Sequence, residues 1–258
     1  EGAGRRWVVA PLDGTVNFLH GVPQCAVSVA LEDAAGPAAA VVIDVLRAEE
    51  FTASRGGGAR CDGRRIAVST QSELRRALFS TGFPYDRHRH ARAYTDAVAA
   101  VLTEAQGVRR TGSACLDLAW VACGRYEGHW EFNLQPWDVA AGILLVTEAG
   151  GRVTAAAGGP ARPAEIVAAN ALLHEALRTL VAAHRPAPRD EAALRGRCPR
   201  PQRQPRHPRR TPGADADSGR RHRRAGGIGR QLRPRSVHRA GGGHGRQAVP
   251  FRPGSHDL

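Results

Sequence analysis

Asp13, Gly14 and Thr15 follow an apolar run, Trp7-Val8-Val9-Ala10-Pro11-Leu12, and form the most chemically loaded step in the chain. A carboxylate delivered at the end of a strand is a hard oxygen ligand suited to Mg²⁺ bridged to a phosphate. Gly14 has no Cβ, so an anionic oxygen can come close to the backbone. Free amides at the start of the next turn can receive that oxygen, and Thr15 adds a hydroxyl able to orient a water. A second acid, Asp138, sits in Trp137-Asp138-Val139-Ala140-Ala141-Gly142, in the first turn of an expected helix. There it can be a metal ligand, or simply a capping acid favoured by the helix dipole. Gly112-Ser113-Ala114, with Glu131 further on, offers a third set of contacts; a helix start and an exposed strand carboxylate are the plain structural alternatives. By itself, an Asp-Gly step is a common turn.

The three segments together say more than each alone. In order they read APLDGTVNF, GSA and WDVAAG, with 19 positions from Gly112 to Glu131 and 7 from Glu131 to Asp138. This resembles the inositol monophosphatase family, whose pattern is D-P-(I/L)-D-G-T-x-N-F, then G-(S/T)-A, then W-D-x-A-(A/G)-G. The resemblance runs from about Trp7 to Ala183. It implies an α+β fold, the layered α-β-α-β-α sandwich of the inositol monophosphatase/fructose bisphosphatase type, here without its N-terminal helices. It implies Mg²⁺ as cofactor, with Asp13, Asp138 and the Leu12 carbonyl as metal ligands. Asp13 and Thr15 would be catalytic, Thr15 by positioning the attacking water. Gly14 and Thr15 would hold phosphate; Gly112, Ser113, Ala114 and Glu131 would line the alcohol side. The expected substrate is a small phosphorylated polyol, most simply myo-inositol 1-phosphate, hydrolysed without a covalent phosphoenzyme. Histidinol phosphate, a sugar bisphosphate or a 3′-phosphoadenylate would use the same chemistry. The family expectation for assembly is a homodimer.

Ala10 departs from this pattern, because the family has a metal-bridging aspartate there. A methyl group cannot coordinate Mg²⁺, which needs oxygen ligands in near-octahedral geometry. The family's glutamate pair lies upstream of the strand, and Glu1 stands nine positions before Ala10. Little or no phosphatase activity is therefore expected of this chain. A non-catalytic remnant with a nucleic-acid-binding basic tail is the alternative of a different class.

The elements expected to position these residues alternate irregularly, with strands bunched early. Trp7–Ala10 reads as a strand stopping at Pro11. Cys25–Leu31 and Ala38–Val45 read as strand–turn–strand, followed by Glu50–Ser54. Ile66–Val68, Ala77–Ser80, Trp130–Asn133 and Ile166–Ala169 are further strand candidates. Helices are expected over His90–Glu104, Ser113–Cys123 with Ser113 as N-cap, Trp137–Ala149, and Ala171–Ala183. Without covering helices, one face of the sheet should be exposed and apolar. His88 and His90 read as a solvated helix start rather than metal ligands, and His20 as a packing residue.

Composition narrows the classes. Of 258 residues, 1–183 carry 18 Arg against 19 Asp and Glu, while 184–258 carry 19 against 5. The basicity thus belongs to the Arg/Pro/Gly-rich tail, expected to be disordered. That composition also resembles GC-rich DNA translated out of frame. The tail's only aromatic, Phe251, offers no stacking platform, so nucleic acid would be held only non-specifically through phosphates. Two domains follow: a phosphatase-like core at 1–183 and the tail at 184–258. Cys25, Cys61, Cys115, Cys123 and Cys198 make no C-x-x-C pair, which favours a reducing, cytoplasmic compartment. No apolar run is long enough for a transmembrane helix, so no membrane partner is expected.

Overall fold

Alternating burial along alanine- and valine-rich runs builds the first sheet. The computed structural model describes residues 4–85 and 87–186. In it β1 (Arg6–Asp13), β2 (Ala26–Asp33), β3 (Gly36–Asp44), β4 (Glu49–Ser54), β5 (Gly58–Cys61) and β6 (Arg64–Arg65) lie side by side in chain order. Every pairing in this sheet is antiparallel, so short turns suffice to connect it. A short helix, α1 (Thr15–Leu19), interrupts the path from β1 to β2.

The second sheet is mixed. β7 (Leu78–Thr81), β8 (Gly107–Arg109), β9 (Gly128–Phe132), β10 (Gly151–Thr154) and β11 (Glu165–Asn170) take the order β10-β11-β9-β7-β8. β7 pairs in parallel with both β8 and β9, which requires crossovers. α2 (Arg87–Glu104) and α3 (Ala114–Ala122) supply them, and α4 (Pro136–Glu148) and α5 (His174–Ala182) complete the helices.

α3 is apolar nearly all round, and only Trp120 among its residues is not buried. Such a helix belongs between two layers rather than on a surface. α3 and α4 accordingly pack on each other, with β1–β5 on one side and β9–β11 on the other. Val42 and Phe51 of the first sheet meet Leu118, Leu145 and Val146 there. α2 and α5 cover the far face of the second sheet, burying Phe79, Trp130 and Leu177. The layers are therefore sheet, helices, sheet, helices, in agreement with the expected α+β sandwich.

Among the described residues no helix layer covers the outer face of the first sheet. Trp7 is 68% exposed and Val9 45% exposed there. Register places Trp7 beside Leu31, and Val9 beside Val29, which in turn pairs with Val41. This is the exposed apolar face expected from the sequence.

Several boundaries differ from expectation. β1 does not stop at Pro11: it continues to Asp13 across a register shift between Ala10 and Asp13. β1 is an edge strand, where a missing N–H costs no ladder bond. Ile66–Val68 is not a strand; Ile66 N–H and Val68 N–H donate singly to the carbonyls of Ala59 and Ala149. β9 ends before Asn133, whose φ of 55° is incompatible with extended pairing. α2 starts three residues early, at Arg87, and kinks at His90. α5 begins at His174, after a turn in which Leu173 N–H donates to Asn170 Oδ1. His20 is exposed rather than packed, while His88 is exposed as expected. The tail beyond residue 186, with Cys198, lies outside the described residues.

Candidate active site

The end of β1 places Asp13 beside the start of α3. Ser113 occupies the N-cap position of α3, but its side chain makes no capping bond to its own helix. Its hydroxyl instead donates to Asp13 Oδ2 over 2.6 Å, and the Cys115 amide donates to the same oxygen over 2.9 Å. Asp13 thus caps α3 from another part of the chain, and the helix N-terminus stabilises its charge. The expectation of Ser113 as the capping side chain is corrected in this sense.

Gly14 follows in the left-handed region, at φ 77°. A Cβ there would stand 2.6 Å from the Gln24 carbonyl oxygen, so only glycine fits the turn. Thr15 Oγ1 donates to the Leu12 carbonyl over 3.2 Å, and its lone pairs stay available to a water. Asn17 ties the loop down: its Nδ2 donates to the carbonyls of Gln24 and Thr111, at 2.8 and 2.9 Å. Each such bond contributes about 1 kcal/mol net.

Asp138 arrives on the first turn of α4. Its Oδ2 accepts the Gln135 amide at 2.8 Å in a capping box. The capping and ligand readings of this residue are therefore compatible, because Oδ1 has no hydrogen bond among the described residues. Burial pushes its pKa up to about 6, against the Gln135 bond, and the Asp13 and Glu131 carboxylates raise it further. Cys115 joins the two aspartates: its thiol donates to the Asp138 carbonyl, with S···O 3.4 Å. Burial holds that thiol well above its usual pKa, which keeps it a donor rather than a nucleophile.

Ala10, Leu12, Asp13, Gly14, Thr15, Gly112, Ser113, Ala114, Glu131 and Asp138 all line one cleft of about 830 Å³. Every residue that the family resemblance assigned to the site is thus brought to the same cleft. The cleft also takes Gly82, Arg110 and Asp117, which no motif marked. Glu131 is not an exposed strand carboxylate; it is 6% exposed. A Cβ on Gly82 would collide with its carboxyl group.

The family profile described as the inositol monophosphatase family matches residues 1–187. The chain belongs to that family.

A Nus factor SuhB from Pseudomonas aeruginosa is 47% identical over 190 residues, covering 72% of this chain and 70% of that one. An inositol-1-monophosphatase from Rhizobium meliloti is 47% identical over 186 residues, covering 71% and 69%. The structure of inositol monophosphatase from Anabaena (Nostoc) sp. PCC 7120 superposes with a TM-score of 0.68 at 40% identity, over 71% of this chain and 76% of that one. The inositol monophosphatase family is a family of phosphatases and is generally magnesium-dependent.

The donor set of this family member suits that ion in kind. Among the described residues Asp13 and Asp138 each commit Oδ2 to hydrogen bonds and leave none on Oδ1, which could face a cation, and Leu12 with its carbonyl lines the same cleft. All three are hard oxygens. Burial raises the Asp138 pKa most, and a bound cation would offset both that burial and the added repulsion from Asp13 and Glu131. The set is nonetheless small. Among the described residues no group of three or more His, Cys, Asp or Glu side chains is arranged to hold a metal ion. Ala10, 3% exposed and lining the cleft, stands where the family pattern has its further carboxylate.

Proposed function

We propose that this chain is built for magnesium-dependent hydrolysis of a phosphomonoester on a small polyol, with myo-inositol 1-phosphate as the substrate, and that Ala10 impairs it. One observation carries the reading: Asp13 and Asp138, remote in sequence, share a cleft with the Gly14-Thr15 step and with Glu131.

Asp13, Asp138 and the Leu12 carbonyl would hold Mg²⁺. The ion would supply charge neutralisation for the phosphate and acidify a bound water. Gly14 leaves the backbone open to the phosphate, because no Cβ intervenes. Thr15 Oγ1, anchored on Leu12 O, accepts a hydrogen from the attacking water and orients it. Glu131 accepts from the polyol hydroxyls, and Gly112, Ser113 and Ala114 form the small-residue wall on that side. With Ala10 in place, two carboxylates remain where three are needed, so ion affinity and turnover are low.

Phosphate release from myo-inositol 1-phosphate with Mg²⁺ tests this. Turnover far below that of an aspartate-containing relative, rising on Ala10→Asp and vanishing on Asp13→Asn, is expected. Turnover indifferent to Asp13→Asn would end the phosphatase reading. The relatives named Nus factor SuhB favour a second role, that of a Nus factor, which would survive Asp13→Asn. A homodimer and a cytoplasmic location remain proposals; no helix among the described residues is long and apolar enough to cross a membrane.

A further inference from the structure

Behind Glu131 lies a buried group of polar side chains that no motif marked. His129 is 0% exposed, two residues before Glu131 on the same face of β9. Its Nδ1 is 3.0 Å from Ser80 Oγ on the neighbouring strand β7, and 3.8 Å from Asp117 Oδ2 on α3. Its Nε2 is 3.5 Å from Glu131 Oε2, an ion-pair approach just outside hydrogen-bond geometry, and it has no hydrogen-bond partner among the described residues. Asp117 is 1% exposed, and its Oδ1 accepts the Thr111 hydroxyl at 2.8 Å.

These distances fix the roles. A carboxylate only accepts, so the Nε2 that faces Glu131 must carry hydrogen. Nδ1 is then satisfied by Ser80, as acceptor in the neutral ring or as donor in the cation. Asp117 at 3.8 Å is beyond hydrogen-bond range and acts through charge. Glu131 is confined from the other side as well, since only the missing Cβ of Gly82 leaves room for its carboxyl group. No hydrogen bond to that carboxylate is formed among the described residues, so its aim rests on the space left by Gly82 and on the facing Nε2 of His129.

We propose that His129 is a positioning residue: held by Ser80 and biased by Asp117, its Nε2–H aims the Glu131 carboxylate into the cleft, where that carboxylate accepts the hydroxyls of a polyol phosphate. The electrostatics agree with the geometry. Burial alone would push the His129 pKa down, but contact with Glu131 and the charge of Asp117 overcome it and leave it raised. Asp13 adds to this from further away. A polyol ligand then meets a fixed acceptor instead of paying to order one.

The ligand side rests on the substrate reading above, whereas the His129–Glu131 contact does not, so the two are tested separately on the full chain. Imidazole ¹⁵N NMR, with His129 assigned by difference from His129→Gln, reads the contact directly. Glu131→Gln should lower the His129 pKa and move its Nε2 resonance; an unmoved resonance overturns the proposal whatever the substrate is. Titrations with Mg²⁺ and either inorganic phosphate or myo-inositol 1-phosphate read the consequence. His129→Phe should weaken the polyol phosphate about tenfold, the scale of one hydrogen bond to a charged group, and leave inorganic phosphate unchanged. His129→Gln, whose amide can place an N–H near the Nε2 position, should recover most of that loss, and it carries the test if the phenylalanine variant fails to fold. Equal losses for both ligands, or no recovery by glutamine, would overturn the positioning role. Wild-type protein that holds both ligands equally would overturn the polyol reading of Glu131 and the ligand half of this proposal, while the NMR result decides the contact.

Discussion

Ser113 donates its hydroxyl to Asp13 Oδ2 over 2.6 Å, across 100 positions of sequence. That bond, with the Cys115 amide on the same oxygen, locks the carboxylate to the start of α3 and turns Oδ1 to the remaining task. Ser113→Ala should leave the fold intact, cost about 1–2 kcal/mol, and loosen Mg²⁺ binding several-fold. Mg²⁺ titration by calorimetry beside thermal melts separates the two effects; unchanged affinity would show that Asp13 needs no such restraint.

Ala10→Asp should have opposite effects with and without metal. Position 10 is buried beside Asp13 and Asp138, so a third carboxylate without a cation adds desolvation and repulsion. In EDTA the melting temperature should fall, by roughly 5 °C for a cost of about 2 kcal/mol. Millimolar Mg²⁺ should restore it, and affinity should rise tenfold or more, on the order of 1.4 kcal/mol. A melting temperature insensitive to Mg²⁺ in the variant would mean that position 10 does not face the ion.

Gly14→Ala should be disproportionately harmful for one methyl group. The left-handed backbone adds strain of about 1–3 kcal/mol, and the new Cβ would press on the Gln24 carbonyl at 2.6 Å. Urea unfolding should show the loss, and phosphate binding should go with it. An alanine variant as stable as wild type would refute the geometry of this turn.

Asp117 makes stability depend on pH. Burial pushes its pKa up to about 7, with Glu131 and Asp13 adding and with His129 and the Thr111 bond opposing. The native state therefore holds this proton more tightly than the unfolded chain does, and stability falls as pH rises from the ordinary carboxylate value, 3.8, through about 7. The raised His129 pKa acts in the same direction, since its charged form is lost as pH rises. The melting temperature should drop on the order of 5 °C between pH 6 and 9. Asp117→Asn should flatten the profile by removing this contribution; an identical slope in the variant would contradict this.

The outer face of the first sheet should bind hydrophobic dyes. Trp7 and Val9 are exposed, and Ile43 joins them at 37%. Isolated apolar residues are ordinary on surfaces, but a contiguous patch across three paired strands is not. The native chain should enhance the fluorescence of an anilinonaphthalene dye, and Val9→Lys with Ile43→Lys should remove most of the signal. Dye binding unaffected by the pair would place the patch elsewhere.

The sequence by itself determined which motif residues line the cleft and the class of the fold. An Asp-Gly-Thr step, a helix-borne Trp-Asp and a Gly-Ser-Ala start are local patterns, and local patterns survive in a linear reading. The same holds for α4, whose Pro136 and Asp138 mark a helix start without reference to anything distant. Only the tertiary structure decided what each side chain answers to. Ser113 reads locally as a cap, yet Asp13 is its partner, because β1 ends against α3. His129, Asp117 and Gly82 carry no linear signal; parallel pairing of β7 with β9 sets His129 beside Ser80, and α3 packed on that sheet adds Asp117. β1 runs past Pro11 because it is an edge strand, which a linear reading cannot know. Residue type sets which bonds a side chain can make; long-range packing sets which of them are in reach.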